Sequence, residues 1–260
     1  MVWAPEEVSE IEKPKGIGWL LLGIRLFAIA ALMFGFLVPV LVLRFLRFDT
    51  AAQNIVSFVC RLVCRVIRLE VVQFGTPLKA AGFIAANHVS WLDIFVANSR
   101  VPIYFVAKSE VRTWPMIGIF ARGTGTIFID RKAREAGRQR DMLKSHLALG
   151  HRLLFFPEGT STDGQRVLPF KSTLFAAAIE QEAEVQALSM RYHAPTGKRV
   201  DFYGWYAEMG FMESFFEILA TAQNGAVELR FHPPISTNKS SDRKRLAKEM
   251  EEVIRSDLAV

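Results

Sequence analysis

Cys60 and Cys64 are the only cysteines in 260 residues. Nothing in that count indicates an oxidising compartment, and two thiols alone do not complete a zinc site. Spaced four apart in an apolar stretch, they share one helix face and read as buried free thiols. A G-x-S-x-G elbow is also missing. Gly159-Thr160-Ser161-Thr162-Asp163 comes nearest and lacks the second glycine, which disfavours a hydrolase with an internal serine nucleophile. The chain has no G-x-x-x-x-G-K-[ST] run, and Gly123-Thr124-Gly125 is a lone G-x-G, so a nucleotide-binding enzyme is disfavoured too. Internal repeats and low-complexity segments are absent. Tyrosine is scarce, 4 against 21 Phe, a bias that suits lipid contact and a Phe-rich core equally.

Apolar residues and positive charge are plentiful. Hydrophobic residues make up 51% and the net charge is +6. Mean hydropathy is +0.21 and the isoelectric point is near 9.5. A basic chain suits an anionic partner, and the apolar composition favours a membrane surface over nucleic acid. The length fits one globular domain plus an accessory segment. We place an N-terminal membrane-associated helical segment at 1–68 and an α/β domain at 69–260.

Residues 1–15 are polar and largely acidic. From Ile17 to Leu43 the chain is apolar except for Arg25, and 26–43 carries no charge, long enough to span a bilayer. The acidic leader and the length of the run argue against a secretory signal peptide. Lys13 and Lys15 flank one end and Arg44 and Arg47 the other, so charge sets no orientation. Ile55 to Leu69 reads as an amphipathic helix, with Arg61, Arg65 and Arg68 on one face and Ile55, Val59, Leu62 and Val66 on another. Two readings stand open for it, a membrane-interface helix and a domain helix with a solvated basic face.

Beyond residue 69 short apolar strands alternate with helices. Strands are expected at 69–74, 82–86, 102–106, 126–129, 152–156, 185–191 and 226–231. Helices are expected at 90–99, 132–149, 172–182, 210–220 and 240–258. This alternation predicts an α/β fold, a largely parallel sheet flanked by helices.

His88 and Asp93 lie in the run Asn87-His88-Val89-Ser90-Trp91-Leu92-Asp93, at an expected strand-to-helix junction. A neutral imidazole titrates near about pH 6.5 and can take a proton from a hydroxyl. A carboxylate on its far nitrogen fixes the tautomer and steadies the imidazolium. With no serine or cysteine nucleophile motif beside them, the nucleophile is expected to arrive with the substrate. Asp93 has a second reading, since Ser90-x-x-Asp93 resembles a capping box that closes a helix start. None of His146, His151, His193 and His232 has an acid five residues on. After the apolar strand Leu153–Phe156 comes Pro157-Glu158-Gly159, a set of residues that equally marks a tight turn. Arg131, behind Ile127-Phe128-Ile129, offers a guanidinium fork for phosphate, or a surface ion pair with Asp130. Lys108 and Lys171 are further candidates for an anionic headgroup or donor, or solvated surface charges.

Three blocks in order, Asn87–Asp93, Gly125–Arg131 and Phe156-Pro157-Glu158-Gly159-Thr160, together resemble the glycerolipid acyltransferase family over residues 70–235. A fourth block, at Val185–Met190, is only loosely matched, because Gln186 stands where the family often has proline. The resemblance implies that His88 is the base and Asp93 its orienter, and that Glu158, Gly159 and Thr160 help bind the acceptor. It implies an acyl thioester donor, on coenzyme A or acyl carrier protein, with no resident cofactor or metal. The acceptor would be a lysolipid, with lysophosphatidate first and lyso-ornithine lipid the alternative. Lysophosphatidate enzymes commonly carry arginine where this chain has Ser161, and Asp163-Gly164 with Leu168–Lys171 looks like the lyso-ornithine branch. The resemblance also favours anchoring to the cytoplasmic membrane by a hairpin dipping into one leaflet, with the site facing the cytosol. Competing classes are a lipid hydrolase or thioesterase and a non-catalytic lipid-binding protein.

Overall fold

A strand buried on both faces is apolar at every position, and Gly82–Ala86 (β2) is buried at all of them. Around it, the computed structural model describes residues 9–114, 117–130 and 136–258. The other strands are Leu69–Phe74 (β1), Tyr104–Lys108 (β3), Ile127–Ile129 (β4), Arg152–Phe155 (β5), Glu184–His193 (β6), Gly225–Phe231 (β7) and Ile235–Ser236 (β8). They form one sheet in the order β1-β7-β6-β2-β5-β3-β4, with β8 added beside β6. Pairing is parallel except between β6 and β7 and between β6 and β8. The fold is thus the expected α/β class, with a largely parallel sheet and an apolar helix at its N-terminal side.

Helices cover both faces of the sheet. Asp49–Val66 (α2), Asp93–Arg100 (α3) and Phe211–Ala220 (α7) close over Ile84, Leu154, Leu188 and Met190. Ala136–Ala148 (α5), Thr173–Glu180 (α6) and Arg243–Leu258 (α8) close over Phe83, Leu153, Phe155 and Ala187. Strand residues alternate between the two layers, as the two-residue period requires. Ala85 is level with Phe155 on one side and Ala187 on the other, so β2 and β5 end together. Their following loops therefore leave the sheet side by side, at its carboxyl edge.

Several boundaries differ from the expectation. The helix expected at 90–99 begins at Asp93, and the strand expected at 102–106 is β3, at Tyr104–Lys108. Asp242 accepts from the amides of Lys244 and Arg245, so α8 starts after it and not at 240. A short helix, Ile117–Gly123 (α4), was not expected at all, because two glycines break its pattern. One of them, Gly118, lies so close to the Arg112 carbonyl that a side chain there would collide with it.

The apolar run forms one helix, Ile17–Phe45 (α1), with Pro39 inside it. Length and composition suit it to cross a membrane. Leu22, Ile29 and Val40 face the protein, while Ile24, Phe27, Phe34, Val38 and Phe45 face outward. Arg25, the one charge in the run, is buried and donates from Nη1 to the carbonyls of Leu219 (2.9 Å) and Thr221 (2.6 Å). A cation is favoured where the last carbonyls of a helix are unpaired, here at the end of α7. Arg44 fastens the other end, donating from Nη2 to Thr124 O (2.6 Å) and Gln53 Oε1 (2.9 Å).

For α2 the structure selects between the two open readings. Its buried apolar side chains are Ala52, Val56, Val59, Cys60, Val63 and Cys64, packed inside the protein; of the expected stripe Val59 is buried, and Ile55, Leu62 and Val66 are half-buried. Arg61, Arg65 and Arg68 are exposed. The buried apolar face of α2 packs inside the protein, against α1 and α3. Burial pushes both thiols up, Cys64 to about 12.

Candidate active site

The loop from β2 to α3 carries the His88 pair. Asn87, at its start, is pinned to β6 twice, donating to Met190 O (2.9 Å) and accepting from Met190 N (2.8 Å). Asp93, the first residue of α3, is 0% exposed. Its Oδ2 accepts from His88 Nδ1 (2.7 Å), Val89 N (2.9 Å) and Ser90 N (3.1 Å). Its Oδ1 accepts from the Tyr192 hydroxyl at 2.7 Å. Asp93 therefore closes the turn and holds the imidazole, so its two sequence readings do not exclude each other. Only half of a capping box is present, because Ser90 Oγ accepts from Leu92 N and not from Asp93 N.

A carboxylate only accepts, so His88 Nδ1 is the donor, and in the neutral ring Nε2 is then the nitrogen with the lone pair. The His88 side chain is 21% exposed. Its ring stacks on Phe156, with centroids 4.0 Å apart and planes at 12°. Among the described residues no group bonds Nε2.

The loop after β5 grips His88 from behind. Glu158 Oε1 accepts from His88 N (2.7 Å) and Oε2 from Leu168 N (2.8 Å). Thr162 N donates to His88 O at 2.9 Å. Glu158 is 2% exposed and both of its carboxyl oxygens serve backbone amides, so it supports the His88 loop. Gly159 has φ +75°, and a side chain there would meet Lys171 Nζ. Lys171 Nζ donates to Glu158 O (3.0 Å) and Lys108 Nζ to Gly159 O (2.6 Å), so both lysines brace this turn. Thr160 is half-buried beside it. Ser161 is buried, and its hydroxyl donates to Trp205 O. Arg131 lies outside the described residues. Among the described residues no group of three or more His, Cys, Asp or Glu side chains is placed to hold a metal ion.

Tyr192, Asn87 and Phe156 touch the His88–Asp93 unit, and none was singled out from the sequence for that role. Asn87 and Phe156 lie inside the recognised blocks, so their position was a signal. Tyr192 is 99 residues from Asp93, and no local pattern marks it.

A family model described as Acyltransferase matches residues 66–191. A lyso-ornithine lipid O-acyltransferase of Rhodobacter capsulatus is 44% identical over 208 residues, 78% of this chain and 75% of the relative. The chain belongs to the glycerolipid acyltransferase family. A 1-acyl-sn-glycerol-3-phosphate acyltransferase of Neisseria gonorrhoeae is 36% identical over 182 residues, 68% of this chain and 69% of the relative. The crystal structure of the 1-acyl-sn-glycerophosphate acyltransferase PlsC from Thermotoga maritima has the same fold, with a TM-score of 0.68 and 22% identity over 93% of this chain and 95% of that one. The protein is thus a lysolipid acyltransferase, an enzyme that takes a lipid acceptor and an acyl donor.

In this acyltransferase, burial pushes the Glu158 carboxyl up to about 8, against the lowering by its two backbone donors. The native state then holds a proton that the unfolded chain releases from about pH 4.5 upward. That contribution to stability is complete below about pH 4.5 and is lost as pH rises through about 8. Glu158→Gln is expected to remove it. The wild-type melting temperature minus that of the variant should fall across this window, and a difference that stays flat would refute a titrating Glu158.

Proposed function

We propose that this acyltransferase moves a fatty acyl chain from a thioester, on coenzyme A or acyl carrier protein, directly to a lysolipid hydroxyl. The observation that carries the reading is the His88 Nδ1–Asp93 Oδ2 bond of 2.7 Å, which leaves Nε2 as the basic nitrogen. Nε2 takes the proton of the acceptor hydroxyl as its oxygen attacks the thioester carbonyl carbon. The tetrahedral intermediate collapses, the carbon–sulfur bond breaks, and the thiolate leaves with the proton from the imidazolium. Asp93 holds the ring and steadies its charge in between. Glu158 and Thr162 hold the His88 backbone, and Lys108 and Lys171 hold the turn beside it.

For the acceptor we favour lyso-ornithine lipid, which reverses the order expected from the sequence. Ser161 stands where lysophosphatidate enzymes commonly carry arginine, and it is buried with its hydroxyl given to Trp205. Lys108 and Lys171 already bond backbone carbonyls, so a phosphate would have to compete for them. The relative at 44% identity is named for lyso-ornithine lipid. Lysophosphatidate is the second reading, favoured by the two ammonium groups beside the Glu158–Gly159 turn and by the Neisseria gonorrhoeae relative. We place the enzyme on the cytoplasmic membrane through α1, with His88 on the cytosolic side, because both thioester donors are cytosolic.

Purified enzyme should be assayed with lyso-ornithine lipid and lysophosphatidate side by side, each with acyl-coenzyme A and acyl carrier protein thioesters. A higher kcat/KM for lyso-ornithine lipid is expected. A clear preference for lysophosphatidate would overturn the acceptor assignment, and inertness toward both would overturn the reaction.

A further inference from the structure

The scheme above uses Asp93 through one carboxylate oxygen, Oδ2. The other oxygen is held by Tyr192, which donates to Oδ1 at 2.7 Å. We propose that Tyr192 is a positioning residue for catalysis, setting the orientation and charge of Asp93 and, through it, the basicity of His88. The inference rests on His88 being the general base.

The two carboxylate oxygens of Asp93 are unequally served. Three donors converge on Oδ2, and among the described residues Tyr192 alone donates to Oδ1. Asp93 is fully buried, so water does not replace a missing donor. Removal of the phenol leaves Oδ1 unsatisfied and the carboxylate freer to turn. It also leaves more negative charge for the imidazole N–H, which favours the imidazolium.

The strand geometry supports a gauge of this kind. β6 pairs with β2 as far as Ala86↔Leu188 and then runs on to His193, alongside the loop that carries His88. Over that overhang Met190 holds Asn87 and Tyr192 holds Asp93. Met190 does so through its backbone N–H and C=O, and Tyr192, two positions on, through its side-chain hydroxyl. β7 pairs with both, at Leu229 and Val227, and fixes the overhang from its far side. One strand therefore grips the chain just before His88 and again at Asp93. The other ionisable groups around this unit are Cys64 of α2, Tyr203 and Glu158, with Arg25 of α1 beyond Tyr203. Val227, across from Tyr192, carries none.

Tyr192→Phe keeps the ring and removes the donor. With the full-length enzyme, an acyl-coenzyme A and whichever lysolipid it turns over, kcat is expected to fall about tenfold to a hundredfold, because a carboxylate free to turn no longer aims Nε2 at the hydroxyl, and that misplacement outweighs the gain in basicity. KM for the lysolipid should stay within about twofold, and the acidic limb of the kcat/KM profile should move to higher pH. Tyr203→Phe removes a neighbouring hydroxyl that does not bond Asp93, and its acidic limb should stay in place. A Tyr192→Phe enzyme with normal kcat and an unmoved limb overturns the proposal. So does a loss of rate that only tracks the loss of folded protein, measured by thermal melting, with the limb unmoved. His88→Ala in the same series separates the two levels. If it is inactive while Tyr192→Phe is normal, only the role of Tyr192 falls; if it is active, the assignment of the base falls.

Discussion

His88→Ala is expected to lower acyl transfer about 10²–10⁴-fold, the usual worth of general-base assistance, with the fold intact. The ring is the part that is lost. The backbone of residue 88 keeps its bonds, N to Glu158 Oε1 and O from Thr162 N, so the loop keeps its course. The ring leaves its stacking partner Phe156 and is itself partly exposed, so the cavity cost is small, and Asp93 Oδ2 keeps the Val89 and Ser90 amides as donors. Lysolipid KM should change little, because Nε2 acts on the proton that moves and not on the headgroup. Turnover and thermal melting on the same preparation check both halves. Near-normal turnover by a folded variant would remove His88 from the mechanism.

Asp93→Asn should bring a loss of comparable size, about 10²–10⁴-fold, by a different route. Asparagine has one acceptor oxygen where the carboxylate has two. If that oxygen faces His88, Val89 and Ser90, the amide nitrogen faces Tyr192, whose hydroxyl can turn and accept. The turn then survives and the tautomer is kept, but the charge that steadies the imidazolium is gone. If the oxygen faces Tyr192, the amide donates to Nδ1, Nε2 takes the ring proton, and the base is lost outright. The first orientation keeps the backbone donors satisfied, so melting should drop far less than activity. A variant with normal turnover would leave Asp93 with only its role of closing the turn.

Much of this was readable in the residues. Buried runs such as Phe83–Ala86 and Leu153–Phe155 have no polar position, which calls for a sheet covered on both faces. The five-residue step from His88 to Asp93 is a short loop that ends at the start of α3, so local chain geometry brings the two side chains together. Block order and wording carried the family. Periodicity reports which face of a helix is apolar and says nothing about what covers it. The stripe on α2 therefore allowed a membrane or a core, and packing against α1 and α3 decided for the core. Arg25 looked like an interruption of an apolar run. Its reason lies in the end of α7, nearly two hundred residues away along the chain.

What the sequence by itself determined is the α/β alternation, the apolar helix, the His88–Asp93 pair and the family to which the blocks belong. Each is written in residues that are neighbours along the chain, where spacing and periodicity act directly. Tertiary structure alone decided the reversal of β6 against β7, the turning of Glu158 toward the His88 backbone, and the contact of Tyr192 with Asp93. These depend on which strands lie side by side. A hydrogen bond is set by distance in space, and a separation of 70 or 99 residues leaves no local pattern from which to read it.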